Sequence, residues 1–241
     1  MQKKEKQEKL NHKVNPFACS WSAWEAALVL GIAVAASSVP YLFSALFHSE
    51  VGLSMLTSVI QEACFFLLPL WMVYHWHGGK AGDLGFRKTR LFSVLETGIP
   101  WGLGLYLVNL LLSILIGVLF PQSLEKEQAV VTFLFHAGGW QEILLICVVV
   151  LLFAPVAEEM LFRAFFLPAL KKVFRPSIAI MLSAVIFALT HWNIWVFLPL
   201  FAGGIGFALL YEKYHNLYYN IAAHMTWNGV ALLLFFIFGF E

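Results

Sequence analysis

The most informative shortage in this sequence is of charge. Only 12% of its 241 residues are Asp, Glu, Lys or Arg, while 61% are hydrophobic; a soluble domain has about 25% charged and about 45–50% apolar residues. Because so few charges cannot cover a water-exposed surface, we predict that most of the surface faces lipid. The formal net charge of only +1 also lacks the positive excess that attracts nucleic acid, so we expect no nucleic-acid partner.

Cysteine is scarce as well. The three cysteines are Cys19, Cys64 and Cys147, and their separations fit neither a disulfide framework nor a cysteine-rich metal site. Cys64 and Cys147 fall inside apolar runs, where a free thiol behaves as a small hydrophobic side chain. Any chemistry in this chain must therefore come from other residue types.

What the sequence has instead is a series of long apolar runs, most of them close to the roughly 20 residues that a helix needs to cross a bilayer. The fifth and sixth runs follow each other almost directly, so they should form a tight antiparallel hairpin. We therefore predict an all-α fold, a polytopic transmembrane bundle of about seven, or eight, membrane helices. The runs cover residues 26–47, 51–74, 97–120, 143–170, 178–191, 194–211 and 221–240.

The connections between the runs differ in charge. With seven spans, 13 of the 15 Lys and Arg residues fall on the N-terminal tail and on the three loops that share its side. Cytoplasmic loops collect Lys and Arg, so we predict a multi-pass protein of the plasma membrane with a cytoplasmic N-terminus and an external C-terminus. The predicted division is a charged cytoplasmic tail over residues 1–16 and a transmembrane helical domain over 17–241.

Ionisable side chains interrupt the fourth run at Glu158, Glu159 and Arg163. Such groups cost about 2.5–3.5 kcal/mol each on membrane-insertion scales, and they mark functional sites by default. Glu159 and Arg163 are four residues apart on one helix face, where the arginine can neutralise the acid. Glu158 points about 100° away and is left free for another task. The alternative is a buried ion pair that only locks helix packing.

Two histidines and an asparagine add polar groups on other helices. The fifth run ends at His191, and the seventh contains His224 and Asn228, four residues apart on one face. At about 1.5 Å per residue, Glu158 would lie roughly 18 Å, His224 roughly 10–15 Å and His191 roughly 20–24 Å from the cytoplasmic side. These depths agree only if the fifth helix is tilted or starts late. A further acid, Glu62 in the second run, is interpreted more simply as a helix–helix hydrogen bond than as a partner of the site.

Together these groups suit hydrolysis of an amide bond. Glu158 can take a proton from water and deliver it to the leaving amine, while the His and Asn side chains position the water or stabilise the oxyanion. Alternatively, Glu158, His191 and His224 could ligate zinc or another divalent metal and leave an open position for water. Both mechanisms, with and without metal, stay open at this point.

Three short motifs on three membrane helices, in this order, resemble those of the CPBP family. The motif residues are Glu158-Glu159 with Arg163, Phe187 with His191, and His224 with Asn228. The family includes the type II CAAX prenyl endopeptidases and the bacterial Abi, or bacteriocin-processing, proteins. The resemblance covers residues 141–230 and implies an intramembrane endopeptidase with Glu158 as the catalytic glutamate. Glu159 and Arg163 would be its supporting pair, and the other motif residues would complete the site.

The resemblance implies no particular substrate. Peptide processing or self-immunity to bacteriocins is expected, and nothing in the sequence indicates a prenyl pocket. The expected partners are the lipid bilayer and a peptide or membrane-protein substrate, with the oligomeric state open. The alternatives from other classes are a non-catalytic membrane scaffold or regulator and a proton-coupled transporter. A transporter would often show repeats and broken helices in both halves, but within the spans of the first 140 residues the polar groups are chiefly Glu62 and Asn109.

Overall fold

The structure, a computed structural model, describes residues 19–46, 50–125 and 128–239. Within these ranges the chain forms helices and no strands, which confirms the predicted all-α class. The charged tail predicted over residues 1–16 lies outside the described residues, and the predicted division into tail and membrane domain stays a prediction.

Eight helices, numbered along the chain, build the described bundle. Shorter segments join them: 3₁₀ turns at Val39–Leu46, Ala81–Leu84 and Pro121–Glu125, and a π-helical end to α2 at Met72–Trp76. The helices are α1 (Ala23–Ser38), α2 (Glu50–Trp71), α3 (Leu91–Leu119), α4 (Ala129–Phe135), α5 (Trp140–Leu170), α6 (Pro176–Leu189), α7 (Ile194–Tyr214) and α8 (Leu217–Phe238).

Six of the described helical stretches are long and apolar enough to cross a membrane. They are α2, α3, α5, α7, α8 and α1 continued through its 3₁₀ turn as Ala23–Ala45. Helix α6 is apolar throughout but shorter, with 14 residues. Six long helices and one shorter one agree with the predicted polytopic bundle of about seven. The chain is a multi-pass membrane protein.

The beginning of α1 is fixed by a capping box. The Ser22 hydroxyl accepts a hydrogen bond from the Glu25 backbone amide at 3.2 Å, and the Glu25 carboxylate accepts one from the Ser22 amide at 2.6 Å. Next to this cap, Trp21 is buried and its indole nitrogen donates to the Phe165 carbonyl at 2.7 Å. The capping box fixes the first turn of α1, and the Trp21 hydrogen bond attaches this turn to α5 at Phe165.

Three connections meet at one end of the bundle. The Asn216 side-chain amide, between α7 and α8, donates to the Arg87 carbonyl just before α3 at 3.0 Å. The Lys171 ammonium, just after α5, pairs with Glu212 near the end of α7. We call this end the basic end, defined by residues 77–90, 171–175 and 215–216. It gathers the loops that the sequence analysis assigned to one side.

Close helix contacts hold α8 in the middle of the bundle. A Cβ added to Gly102 of α3 would lie 2.2 Å from the Ala223 carbonyl oxygen of α8, a distance that no side chain tolerates. On the other side, a Cβ on Gly203 of α7 would lie 2.6 Å from the Trp227 ring of α8. Because glycine has no side chain, these helices can approach each other closely. This packing fixes the direction in which the polar residues of α8 point.

Helix α5 is not a uniform α-helix. Its α-helical turn Ala154–Glu159 lies between two π-helical segments, Val149–Phe153 and Met160–Phe166. Pro155 lacks the backbone N–H that would continue the regular pattern, which accounts for the widening just before it. π segments within α-helices are rare and are often found at functional sites. Glu158 and Glu159 thus lie on a short turn between two widened ones.

Candidate active site

Glu159 is completely enclosed and fully bonded. Its side chain has 0% exposure, and its Oε1 lies 3.1 Å from Nη1 of Arg163 and 2.9 Å from Nδ1 of His224. The Arg163 contact has the distance of an ion pair without the alignment of a hydrogen bond. The other oxygen, Oε2, accepts a hydrogen bond from Nδ2 of Asn220 at 3.1 Å. Both oxygens of this buried carboxylate are therefore occupied by groups from α5 and α8.

Arg163 is buried between aromatic rings. Its guanidinium carbon lies 4.4 Å from the centroid of the Phe187 ring and 5.2 Å from that of Phe207. Nη2 also approaches the Gly204 carbonyl at 3.4 Å. A desolvated cation–π contact contributes about 2 kcal/mol, so these rings help to offset the cost of burying the charge. Phe187, which the sequence offered only as part of a motif, holds the arginine against Glu159.

Glu158 has a different environment from its neighbour. The side chain is 8% exposed and lines a cavity of about 260 Å³ between α2, α4, α5, α7 and α8. Among the described residues its Oε2 has no hydrogen-bond partner, and Nε2 of His224 lies 3.7 Å away. That separation is too long for a hydrogen bond. One carboxylate oxygen therefore stays available at the cavity.

His224 lies between the two glutamates. Because a carboxylate accepts and does not donate, the hydrogen bond to Glu159 assigns the proton to Nδ1. This leaves Nε2 on the side of Glu158 and the cavity. The Phe207 ring stacks on the imidazole with centroids 4.8 Å apart and an interplanar angle of 25°. The orientation of the ring is therefore fixed by a hydrogen bond at one edge and by an aromatic face.

His191 lies beyond the end of its helix. The sequence predicted a run to residue 191, but α6 ends at Leu189, because Trp192 takes a left-handed conformation (φ 53°) and Asn193 caps the next helix. Nδ1 of His191 donates to the Phe187 carbonyl at 3.0 Å, and the side chain lines the same cavity as Glu158 and His224. The three residues thus meet at one cavity despite the depths counted from sequence.

Asn228 lines the cavity one turn beyond His224. Its Nδ2 donates to the Val150 carbonyl at 2.8 Å, a carbonyl that belongs to the first π segment of α5. An amide nitrogen carries two hydrogens, so a second one is available for another acceptor. The bond also ties α8 to the segment immediately before the glutamates.

Two polar residues at the site were missed or undervalued by the sequence reasoning. Asn220, which is fully buried, donates to Glu159 and also to the Phe207 carbonyl at 2.8 Å. It precedes His224 by four residues, and extending the i, i+4 pattern of His224 and Asn228 backward by one turn would have found it. Glu62 of α2 also lines the cavity, although the sequence favoured a simple helix–helix contact.

The cavity is mostly apolar, with a few polar side chains among the residues that line it. Phe133 of α4, Val149 of α5 and Leu200 of α7 contribute to its apolar part. The polar side chains come from α2, α5 and α8 and from the turns before α4 and α7, and they include His191. Ligand sites are commonly apolar clefts with a few convergent polar groups, so the arrangement suits an apolar molecule that presents one polar bond.

A metal ion at this site was an open alternative. Nε2 of His224 and Oε2 of Glu158, 3.7 Å apart, are within reach of a shared ion. However, catalytic zinc sites use three protein ligands, and the described residues contain no group of three His, Cys, Asp or Glu side chains that could hold a metal ion. The arrangement of His191 relative to the other two side chains therefore does not fit the predicted three-ligand set.

Comparison with known proteins identifies one family. A family model described as type II CAAX prenyl endopeptidase Rce1-like matches residues 140–230, from the start of α5 into α8. No curated protein matches the chain, and no solved structure matches it. The matched segment contains all three motifs, whereas α1 to α4 lie outside it. Residues 140–230 are thus similar to the type II CAAX prenyl endopeptidases, which are intramembrane proteases of the CPBP family.

Proposed function

We propose that this chain hydrolyses a peptide bond of a membrane-associated peptide or membrane protein, using a water molecule activated by Glu158. The observation that carries this proposal is the contrast between adjacent glutamates. Both oxygens of Glu159 are occupied, while Oε2 of Glu158 has no hydrogen-bond partner within the described ranges and lies at the cavity. A carboxylate in that state can accept a proton from water.

His191 is suited to orient the attacking water. Its Nδ1 donates to a backbone carbonyl, so in the neutral ring Nε2 is an acceptor. A water molecule can donate one hydrogen to this nitrogen and the other to Glu158. With its hydrogens so directed, the oxygen lone pair is free to attack a carbonyl carbon.

His224 and Asn228 are suited to stabilise the oxyanion that forms in this attack. The Glu159 carboxylate holds a proton on Nδ1 of His224, so a second proton on Nε2 makes that nitrogen a donor toward the cavity. Asn228 adds the hydrogen that its bond to Val150 leaves unused. Donors fixed before the reaction stabilise developing negative charge without reorganisation, and losing one typically costs about 10²–10³ in kcat.

The proton on Glu158 completes the reaction. When the tetrahedral intermediate collapses, the bond between carbon and nitrogen breaks and the leaving nitrogen takes that proton. Glu158 returns to its ionised state, and the products are a carboxylic acid and an amine. Glu159 exchanges no proton in this mechanism: it holds His224 in its orientation and is neutralised by Arg163.

We infer that the substrate is apolar around the bond that is cut, because most of the cavity wall is apolar. We also assign the basic end to the cytoplasm, since Lys and Arg collect on that side of membrane proteins. With this orientation the protein would be a multi-pass protein of the plasma membrane. A role in peptide processing or in self-immunity is compatible with such a substrate.

The test compares wild type with Glu158→Gln in lipid vesicles, using a library of internally quenched apolar peptides. We expect cleavage to fall by about 10²–10⁴, the usual contribution of a general base. Glu142→Gln is the matched control, because Glu142 is an exposed acid on the same helix, and it should cleave normally. Wild-type cleavage by Glu158→Gln would contradict the proposal. A non-catalytic scaffold would instead keep its cellular role in that variant.

A further inference from the structure

Glu62 is a buried acid that the family match does not reach. It lies in α2, outside residues 140–230, and its side chain is only 7% exposed. An isolated carboxyl group in a membrane interior is costly, so it requires a partner. The cavity that it lines is the one that contains Glu158.

The packing of α2 against α5 brings Glu62 level with Glu158. The two helices run in the same direction, and the rings of Phe65 and Phe162 pack edge to face with centroids 5.5 Å apart. Glu62 is about one turn before Phe65, and Glu158 is about one turn before Phe162. The aromatic pair therefore sets the register in which the two carboxyl groups meet.

Glu62 and Glu158 line the same cavity from neighbouring helices, where two carboxyl groups can share a hydrogen bond. Ionised carboxylates only accept hydrogen bonds, so such a bond requires one proton in the pair. The Oε2 atom of each residue is buried and has no hydrogen-bond partner in the described part of the chain. Each residue therefore has an oxygen available for the other, outside the bonded group around Glu159.

We propose that Glu62 and Glu158 share one proton in a hydrogen bond between their carboxyl groups, and that Glu62 is a positioning residue that holds Glu158 at the cavity wall. The inference rests on the proposed role of Glu158 and deepens it. Without Glu62, the flexible Glu158 side chain has no fixed neighbour on the α2 side and can rotate away from the water. The proposal extends the working site beyond the family segment to the second membrane helix.

The kinetic test uses two substitutions of nearly the same size. Glu62→Gln keeps a donor for the Glu158 carboxylate, whereas Glu62→Met removes it. Using a peptide that wild type cleaves, we expect Glu62→Met to lose about 10–100-fold in kcat with little change in KM, as for other supporting hydrogen bonds. Glu62→Gln should retain clearly more activity than Glu62→Met. Gln61→Met, a half-buried neighbour on the same helix, is the matched control and should cleave normally.

Two kinetic outcomes would overturn the inference. One is full activity in Glu62→Met, and the other is equal loss in the Met and Gln variants, since only the Met variant lacks the donor. If Glu62→Met does not fold in detergent, Glu62→Asp replaces it. Aspartate keeps the carboxyl group, but its side chain is too short to reach Glu158. Full activity in Glu62→Asp would then count against the proposal.

A spectroscopic test requires no substrate. Infrared spectra of the purified protein in H₂O and D₂O should show a protonated carboxyl band that Glu62→Gln removes. Glu158→Gln should shift this band, because the partner of the Glu62 carboxyl group changes from a carboxylate to an amide. A band that is the same in wild type and both variants, or its absence from wild type, would overturn the inference. Normal cleavage by Glu158→Gln would instead refute the proposed function while leaving the infrared result standing, so the two failures are distinguishable.

Discussion

Helices α3 and α5 have almost the same mean hydropathy but occupy opposite environments. Only 6% of the most apolar stretch of α3 is buried inside the bundle, against 33% for α5. Helix α3 is a single α-helix of 29 residues, while α5 alternates between α and π geometry. Hydropathy therefore indicates which helices suit a membrane but not which of them face its lipid.

The inward-facing residues explain this difference. Helix α3 presents Gly98 and Gly102 to α8 and exposes most of its large side chains. Helix α5 presents Glu158, Glu159 and Arg163, which need partners on several sides. Small residues allow one neighbouring helix to approach closely, whereas buried charges need polar or charged partners from several neighbouring helices. The charged helix consequently lies in the interior and the glycine-containing one at the periphery.

Arg163→Leu should have the largest effect on stability. It leaves Glu159 buried without its cation, and breaking a buried pair in this way costs about 3–5 kcal/mol. Thermal unfolding in detergent, followed by tryptophan fluorescence, measures the loss. The double variant Glu159→Gln with Arg163→Leu should recover part of it, because no isolated charge remains. An unchanged midpoint in Arg163→Leu would mean that α5 does not depend on its ion pair.

Gly102→Ala tests the opposite helix and should have a smaller effect. The new methyl group would clash with the Ala223 carbonyl and force α3 away from α8, at a cost of about 1–3 kcal/mol. Gly104→Ala is the matched control, because nothing lies within 4 Å of its added Cβ. That variant should be neutral or slightly stabilised through helix propensity. Equal effects in the two variants would show that α3 has no preferred inner face.

His215→Asn should have the smallest effect on stability. His215 lies at the basic end, where the start of α3 and the end of α5 come together. Burial lowers the pKa of His215 below its ordinary value of 6.5, with Glu212 acting to raise it and Lys171 and Arg87 to lower it further. The unfolded chain therefore binds the proton more readily, and stability falls as pH drops below about 6.5. Asparagine tolerates the left-handed backbone found here (φ 46°). Unfolding midpoints at about pH 7.5 and pH 5.5 should differ less in the variant than in wild type.

Much of the bundle follows from sequence because long apolar runs and charge segregation are one-dimensional signals. The Glu159–Arg163 pair was also predictable, since four-residue spacing fixes a helix face. The π segments were not, because a widened turn changes no residue pattern. The bond between Asn228 and Val150 depends on that widening, and the presence of Glu62 and Glu158 at one cavity depends on the register of two helices far apart in sequence. The end of α6 before His191 depended on one left-handed residue.

The π geometry of α5 also constrains how this helix can be altered. A π segment holds one more residue than the α-helical turn it replaces. If the same residues formed a regular α-helix without any deletion, everything beyond Met160–Phe166 would turn by about 100° relative to Glu158. The Phe165 carbonyl would leave the Trp21 indole, and Lys171 would leave Glu212. The π segment therefore lets one continuous helix present Glu158 to the cavity and still direct its later residues to their partners near α1 and at the basic end.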